Sequence, residues 1–326
     1  MESARSAIAV PSRLDMTQTL AIIHEEYVKV FENVQRVILG KELVIERVLT
    51  AMAARGHVLL KDVPGTGKTM LARTIAATIA CAFKRIQFVP DLLPMDITGS
   101  NVFDLRKKAF DFQPGPVFTN ILLADEINRA TPKTQSALLE VMEERQVSVE
   151  GVTHKLDAPF QVLATMNPLD HDGTYALPAA QMDRFLMMLS VGYPPQDAEV
   201  RMLDVHLAVD PVLEDIRPVI DRSQFLRWQQ TVPLVFCSDD IKRYAVGIAN
   251  ALRSDSQNLQ SISPRSTLGV MRAAQARAML SGRDYVSVED LQTLAPDVYS
   301  HRVLVADARV GREFIQEVIS RVPAPV

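Results

Sequence analysis

The sequence predicts an α/β domain with a mainly parallel sheet, followed by a smaller all-helical domain. Three observations carry this. Short apolar runs alternate with amphipathic helical stretches up to about residue 192. A glycine-rich turn, Asp62-Val63-Pro64-Gly65-Thr66-Gly67-Lys68-Thr69, joins one such run to a helix. After Gly-Tyr-Pro-Pro at 192–195 the chain reads as helix after helix. Strands that alternate with helices pair in parallel and are covered on both faces.

The elements follow in order. Residues 1–15 read as a loose lead-in. Helical periodicity begins near Met16 and runs to about Val37, and a second helix ends at Gly56. "HVLLKD" is a strand, the glycine turn feeds a helix, and "RIQFV" is the next strand. Residues 91–119 are turn-rich, with a hairpin expected near 101–112 around Arg106-Lys107-Lys108. "NILLA" is a strand, 131–144 a helix, and 146–158 a second hairpin around Gly151. "FQVLATM" and "FLMMLSV" complete the sheet. This gives a core over 16–192 and a helical lid domain over 196–326.

The 326 residues are 48% hydrophobic and 23% charged, an ordinary globular composition. A net charge of -4 advertises neither a nucleic-acid surface nor a membrane surface. No apolar stretch approaches 18 residues, and the N-terminus lacks a basic segment before an apolar core, so no membrane span and a cytoplasmic protein are expected. Cys81 and Cys237 lie far apart without metal-site spacing and read as thiols in a reducing compartment.

The glycine turn has the context of a phosphate-binding loop: strand before, helix after. Gly65 and Gly67 allow close backbone approach, Lys68 reaches the β- and γ-phosphates of ATP, and Thr69 places its hydroxyl on Mg²⁺. The usual pattern begins with glycine at position 62, where this chain has Asp62. The tight part of the turn, Pro64 to Lys68, is unaffected.

Asp125 and Glu126 end the apolar run Ile121 to Ala124. Two adjacent carboxylates repel in a dry site unless a cation stands by. Asp125 is assigned to Mg²⁺ and Glu126 to the attacking water. Asn167, at the end of "FQVLATM", can donate to the γ-phosphate or steer that water. Ser263 reads as a helix cap and Pro264 as the first helical residue. Arg265 then falls in the first turn, the wrong end of the helix dipole for a cation. It calls for an anion, and ATP is the expected one. The role of Asn128-Arg129, just behind the acids, is left open.

With these parts assembled, the chain resembles the MoxR family of AAA+ ATPases over roughly 17–320. The marks are "VILGKELVIERVLTAMAARGHVLLKDVPGTGKT", "GSNVFD", "GPVFTNILLADEINRATPKTQSALLEVMEERQVSVEG", "FQVLATMNPLDHDGTYALPAAQMDRF" and "SPRSTLGVMRAAQARAMLSGRDYVSVEDL". The resemblance implies an AAA+ P-loop core with a helical lid. It implies nucleotide contacts from Val63 to Met70, with Val37, Ile38 and Gly40 flanking adenine. Asn167 takes the sensor 1 position and Arg265 sensor 2. Arg184, in "AQMDRF", is the arginine finger that reaches a neighbour's ATP, with Arg129 next in line.

The resemblance also implies a homo-oligomeric ring, often a hexamer, with chaperone-like remodelling and a partner carrying a von Willebrand A domain. The two hairpins would handle the client. Ala179 stands where family sequences commonly have Glu, and "LDHDGTYA" differs from the usual polar loop. The alternative is the ATPase subunit of a metal-chelatase-like complex. A DNA-associated motor has no basic stripe to support it, and the intact acid pair argues against a silent scaffold.

Overall fold

The computed structural model describes residues 13–167, 174–207, 216–254, 262–303 and 308–325. Most of the expected lead-in, and most of "LDHDGTYA", lie outside these.

Two helices open the chain, α1 (Arg13–Gln35) and α2 (Glu42–Ala53), followed by β1 (His57–Lys61), α3 (Lys68–Thr78) and β2 (Phe83–Gln87). A one-turn helix α4 (Pro94–Thr98) leads into the hairpin β3 (Gly99–Asp104) and β4 (Ala109–Pro114). Then come β5 (Ile121–Asp125), α5 (Pro132–Glu144), the hairpin β6 (Gln146–Val149) and β7 (Val152–Lys155), β8 (Gln161–Met166), the short α6 (Ala179–Met182) and β9 (Phe185–Leu189). The remainder is helical: α7 (Gln196–Leu207), α8 (Arg222–Thr231), α9 (Asp239–Ser254), α10 (Pro264–Leu280), α11 (Val288–Tyr299) and α12 (Ala308–Arg321).

Five strands form one sheet in the order β2-β5-β8-β1-β9, and every neighbouring pair is parallel. The apolar runs of β1, β5 and β8 are buried on both sides. Their side chains alternate between two cores. Val58, Leu60, Ile121, Leu123 and Leu163 face the cluster built by α1, α2, α3 and the later helices. Leu59, Leu122, Ala124, Val162 and Ala164 face the cluster under α5. Each full burial of such a side chain is worth about 1.5–3 kcal/mol. β2, at one edge, carries Lys84 and Arg85 outward, which suits an edge. The other edge, β9, is covered by α10 and α11.

α8 is anchored by Trp228, which is fully buried and donates from Nε1 to Glu26 of α1 at 2.8 Å. The hydrophobic core runs without a break from α1 into α10, α11 and α12.

The hairpins lie side by side. The Phe112 ring stacks on His154 at 3.8 Å between centroids, and Asn101 donates to Glu150 at 2.7 Å. Gly99, at φ 91°, starts the first hairpin where a Cβ would lie 2.2 Å from the Gln113 carbonyl oxygen. Cys81 is buried, and burial pushes its thiol up to about 11.

Candidate functional site

The turn after β1 wraps a cleft of about 440 Å³ at the carboxyl ends of the strands. Pro64, Gly65, Thr66, Gly67, Lys68, Thr69 and Met70 line it, together with Asp125, Glu126 and Asn167. Ligands of parallel α/β sheets bind at this end. Gly65 and Gly67 adopt φ of 82° and 85°, and a Cβ on either would meet nothing within 4 Å. The loop therefore presents bare backbone to open space, as a phosphate requires. Lys68 begins α3 behind Gly67, and its Nζ donates to the Val63 carbonyl at 2.5 Å and the Asp62 carbonyl at 3.3 Å. Burial lowers the Lys68 pKa, while Asp62, Asp125 and Glu126 oppose the shift.

Asp62, the departure from the usual loop, is a buried acceptor. Its carboxylate takes the N–H of Val63 at 2.8 Å and the N–H of Gly192, just beyond β9. Lys41 donates to the Gly192 carbonyl at 2.9 Å. The turn containing Val37, Ile38 and Gly40 is thus linked to the loop through Gly192. Val37 and Ile38 pack into the core. Gly40 lines a separate cleft of about 350 Å³ and lies against Pro195 and Ala198.

The two acids share Thr165, and their carboxylates otherwise have different partners. Thr165 of β8, the strand between β1 and β5, donates to Asp125 Oδ1 at 2.5 Å and accepts the Glu126 N–H at 2.8 Å. Arg85 reaches Asp125 Oδ2 at 2.7 Å from the edge strand. Glu126 turns away at φ 57°, a left-handed conformation that is strained for a side chain of this kind. Gln87 donates to its Oε2 at 3.0 Å, and Arg129 Nε pairs with the same oxygen at 2.7 Å. Arg129 therefore serves its own chain's glutamate here. Asn128 is buried and donates to the Asn167 carbonyl at 3.4 Å, tying the turn after β5 to the end of β8.

Thr69 and Asp125 both line the cleft. Among the described residues no three His, Cys, Asp or Glu side chains gather to hold a metal by themselves. A cation between Thr69 and Asp125 would draw its remaining ligands from phosphate and water.

Arg184 and Arg265 are elsewhere. They line a cavity of about 300 Å³ with Arg55, His57 and Phe185, at the amino ends of β1 and β9 and so at the opposite end of the sheet from the loop. The expected contact of Arg265 with a γ-phosphate is not with the loop of the same chain, which lies at the other end of the sheet. Ser263 caps α10 and Pro264 is its first residue, as expected. The anion answering Arg265, however, is Glu143, at 2.8 Å. Arg184 pairs with the same carboxylate at 2.9 Å. Ala179 begins α6, just before Arg184.

Two family models match the chain. Residues 57–187 match the ATPase family associated with various cellular activities (AAA), and residues 250–322 match the AAA lid domain. The chain is 41% identical to the chaperone MoxR1 of Mycobacterium tuberculosis over 92% of its own length and 81% of that protein. It belongs to the MoxR-like family of AAA+ ATPases. This MoxR-like chain is also 44% identical to the uncharacterized protein YeaC of Bacillus subtilis, over 93% of its own length and 96% of that protein. A crystal structure of a candidate ATPase from Cytophaga hutchinsonii superposes with a TM-score of 0.87 at 33% identity, covering 95% of this chain and 98% of that one. The fold is an AAA+ P-loop core with a parallel sheet and an all-helical lid.

The sequence reading assigned no role to Thr165, Arg85 and Gln87 around the cleft acids, nor to Glu143 at the other cavity. Thr165 left one signal, a polar side chain inside an apolar strand. Glu143 left another, an acid in the last turn of a helix, where the dipole disfavours it.

Proposed function

We propose that this MoxR-like protein binds ATP with Mg²⁺ in the cleft behind β1 and hydrolyses it to drive remodelling of a client protein. The observation that carries the reading is the meeting of Lys68, Thr69, Asp125, Glu126 and Asn167 in one cleft, from three separate strand ends. Lys68 and the loop amides hold the β- and γ-phosphates. Thr69 and Asp125 hold the Mg²⁺ ion, which supplies charge neutralisation at the phosphates. Glu126, oriented by Gln87 and Arg129, polarises the attacking water, and Asn167 steers it. Thr165 keeps the two acids in register.

No arginine from position 184 or 265 stands at this cleft, so both are assigned to the nucleotide of the next copy in a homo-oligomeric ring, a hexamer in the reading we favour. An arginine supplied in trans is worth about 10³–10⁵ in rate in other NTPases. Chaperone-like work is supported by the chaperone description of MoxR1, and a von Willebrand A domain partner is the further expectation from the family likeness. The paired hairpins, with Phe103 and Phe110 exposed, are the assigned client-handling surface.

Glu126→Gln tests the reading. ATP affinity is expected to stay within about threefold while turnover falls by about 10²-fold or more. Near-normal steady-state turnover in that variant would reject the role of Glu126.

A further inference from the structure

Arg265 and Glu143 each stand at a helix end that disfavours their charge. Arg265 is in the first turn of α10, where the dipole repels a cation. Glu143 is in the last turn of α5, where it repels an anion. The fold resolves both by bringing them together, and it adds Arg184 to the same carboxylate. Each oxygen of Glu143 takes one arginine: Oε2 accepts from Arg184 Nε at 2.9 Å, and Oε1 from Arg265 Nη1 at 2.8 Å. Asp183, the other acid at this cavity, is committed to Arg302 at 2.6 Å and Ser263 at 3.1 Å.

The surroundings are strongly positive. Burial, with Arg55 and Arg272 close by, pushes the Arg145 guanidinium down to about 10. Partial burial favours the neutral form of Glu143, but Arg265 and Arg184 overcome it and hold its pKa below the usual value. Both guanidiniums remain reachable, with side-chain exposures of 30% for Arg184 and 50% for Arg265. Arg184 spends Nε on the carboxylate and Arg265 spends Nη1, so the fork of each arginine has further N–H groups to offer a second acceptor.

We propose that Glu143 is a positioning residue that clamps Arg184 of the core and Arg265 of the helical lid into one pair, the form in which both meet a triphosphate held by a neighbouring copy. The inference rests on the reading that this face meets a neighbour's nucleotide. Long arginine side chains on an open surface sample many rotamers, and a shared carboxylate removes that freedom before the phosphate arrives. The clamp also joins α5, the segment before β9 and α10, so the lid cannot swing away from the core at this point without separating the arginines.

The test is Glu143→Gln in the assembled protein, with kcat, KM and equilibrium ATP binding measured alongside oligomeric state. The expected result is a fall in kcat of about 10- to 100-fold, with ATP binding to the variant's own cleft unchanged, because Glu143 is at the other end of the sheet. Glu143→Asp keeps the charge and is expected to restore part of the loss; if Glu143→Gln does not assemble, the aspartate variant decides. A coupling measurement separates positioning from a merely structural role. On an Arg184→Ala/Arg265→Ala background, Glu143→Gln is expected to add no further loss in single-turnover rate. An unchanged kcat in assembled Glu143→Gln, or the same fold-loss on both backgrounds, overturns the proposal. Full turnover in Arg184→Ala/Arg265→Ala would instead defeat the trans-site reading itself. A silent double variant with a normal Glu143→Gln defeats only the clamp.

Discussion

The carboxylate of Asp62 accepts the backbone N–H of Gly192, joining the first residue of the phosphate loop to the chain just beyond the last strand, 130 positions away. The same carboxylate holds the Val63 N–H, while the Asp62 carbonyl accepts from Lys68. Glycine, the residue of the usual loop pattern, would keep the carbonyl but lack both carboxylate bonds. Asp62→Gly is expected to leave two partly buried donors poorly satisfied and to cost about 1–2 kcal/mol. A urea unfolding midpoint unchanged from the parent would refute that account.

Thr165→Val keeps the shape of the side chain and removes its hydroxyl. Asp125 then loses a donor and the Glu126 N–H loses its acceptor. We expect a stability loss of about 1–2 kcal/mol and a fall in kcat of roughly tenfold or more. Thermal denaturation and steady-state ATPase assays on the same preparation separate the two effects, and an unaltered kcat would remove Thr165 from the list of positioning residues.

Asp290 is fully buried at the start of α11 and receives Arg277 at 2.6 Å and Arg283 at 2.7 Å. Burial alone would raise its pKa; the bonds from Arg283, the Ser287 backbone and Arg277 outweigh it, and the net shift is downward. The aspartate is thus ionised more readily in the fold than in the unfolded chain, where its pKa is about 3.9. Its stabilisation is complete above that value and is lost as pH falls through the lowered folded value. Asp290→Asn is expected to cost about 3–5 kcal/mol at neutral pH. The gap to the parent should close progressively in unfolding curves taken below about pH 4.

His57 works in the opposite chemical sense over a milder pH range. It is buried at the start of β1, where Nδ1 accepts the Val162 N–H and Nε2 donates to the Met142 carbonyl. Burial, with Arg145 adding to it, pushes its pKa down to about 4. The unfolded chain takes up a proton near pH 6.5 and the fold does not, so stability declines as pH drops from about 6.5 to about 4, by on the order of 2–3 kcal/mol. His301 is buried and shifted in the same direction, so it contributes to the same decline. His57→Gln should flatten the stability profile in that window; a slope identical to the parent's would argue against this assignment.

The architecture was legible in the sequence because its signals are local. Ile121 to Ala124 could only be a strand buried on both faces, and Gly65, Gly67 and Lys68 sit between a strand and a helix. The acid pair could be placed because it ends such a strand. What stayed hidden depends on partners distant in the chain. Position and dipole showed that Arg265 needs an anion, but nothing in its neighbourhood names Glu143, 122 positions earlier. Asp62 looked like a weakened motif, since its reason lies beyond β9. Asn128-Arg129 resolves the same way: Asn128 ties to Asn167, and Arg129 to Glu126 three residues before it. The second of these is a short-range contact, yet the left-handed turn at Glu126 that permits it leaves no mark in the sequence.

The phosphate loop and the clamped arginines occupy opposite ends of one parallel sheet. Parallel strands give the chain a direction, with the phosphate loop at its head and the clamped arginines at its tail. A contact that brings the tail of one copy to the nucleotide at the head of the next is heterologous, and no two-fold axis can satisfy it. Two copies joined this way always leave one head and one tail unmet. On the proposed contact, only an assembly in which the last tail finds the first head leaves no site unserved.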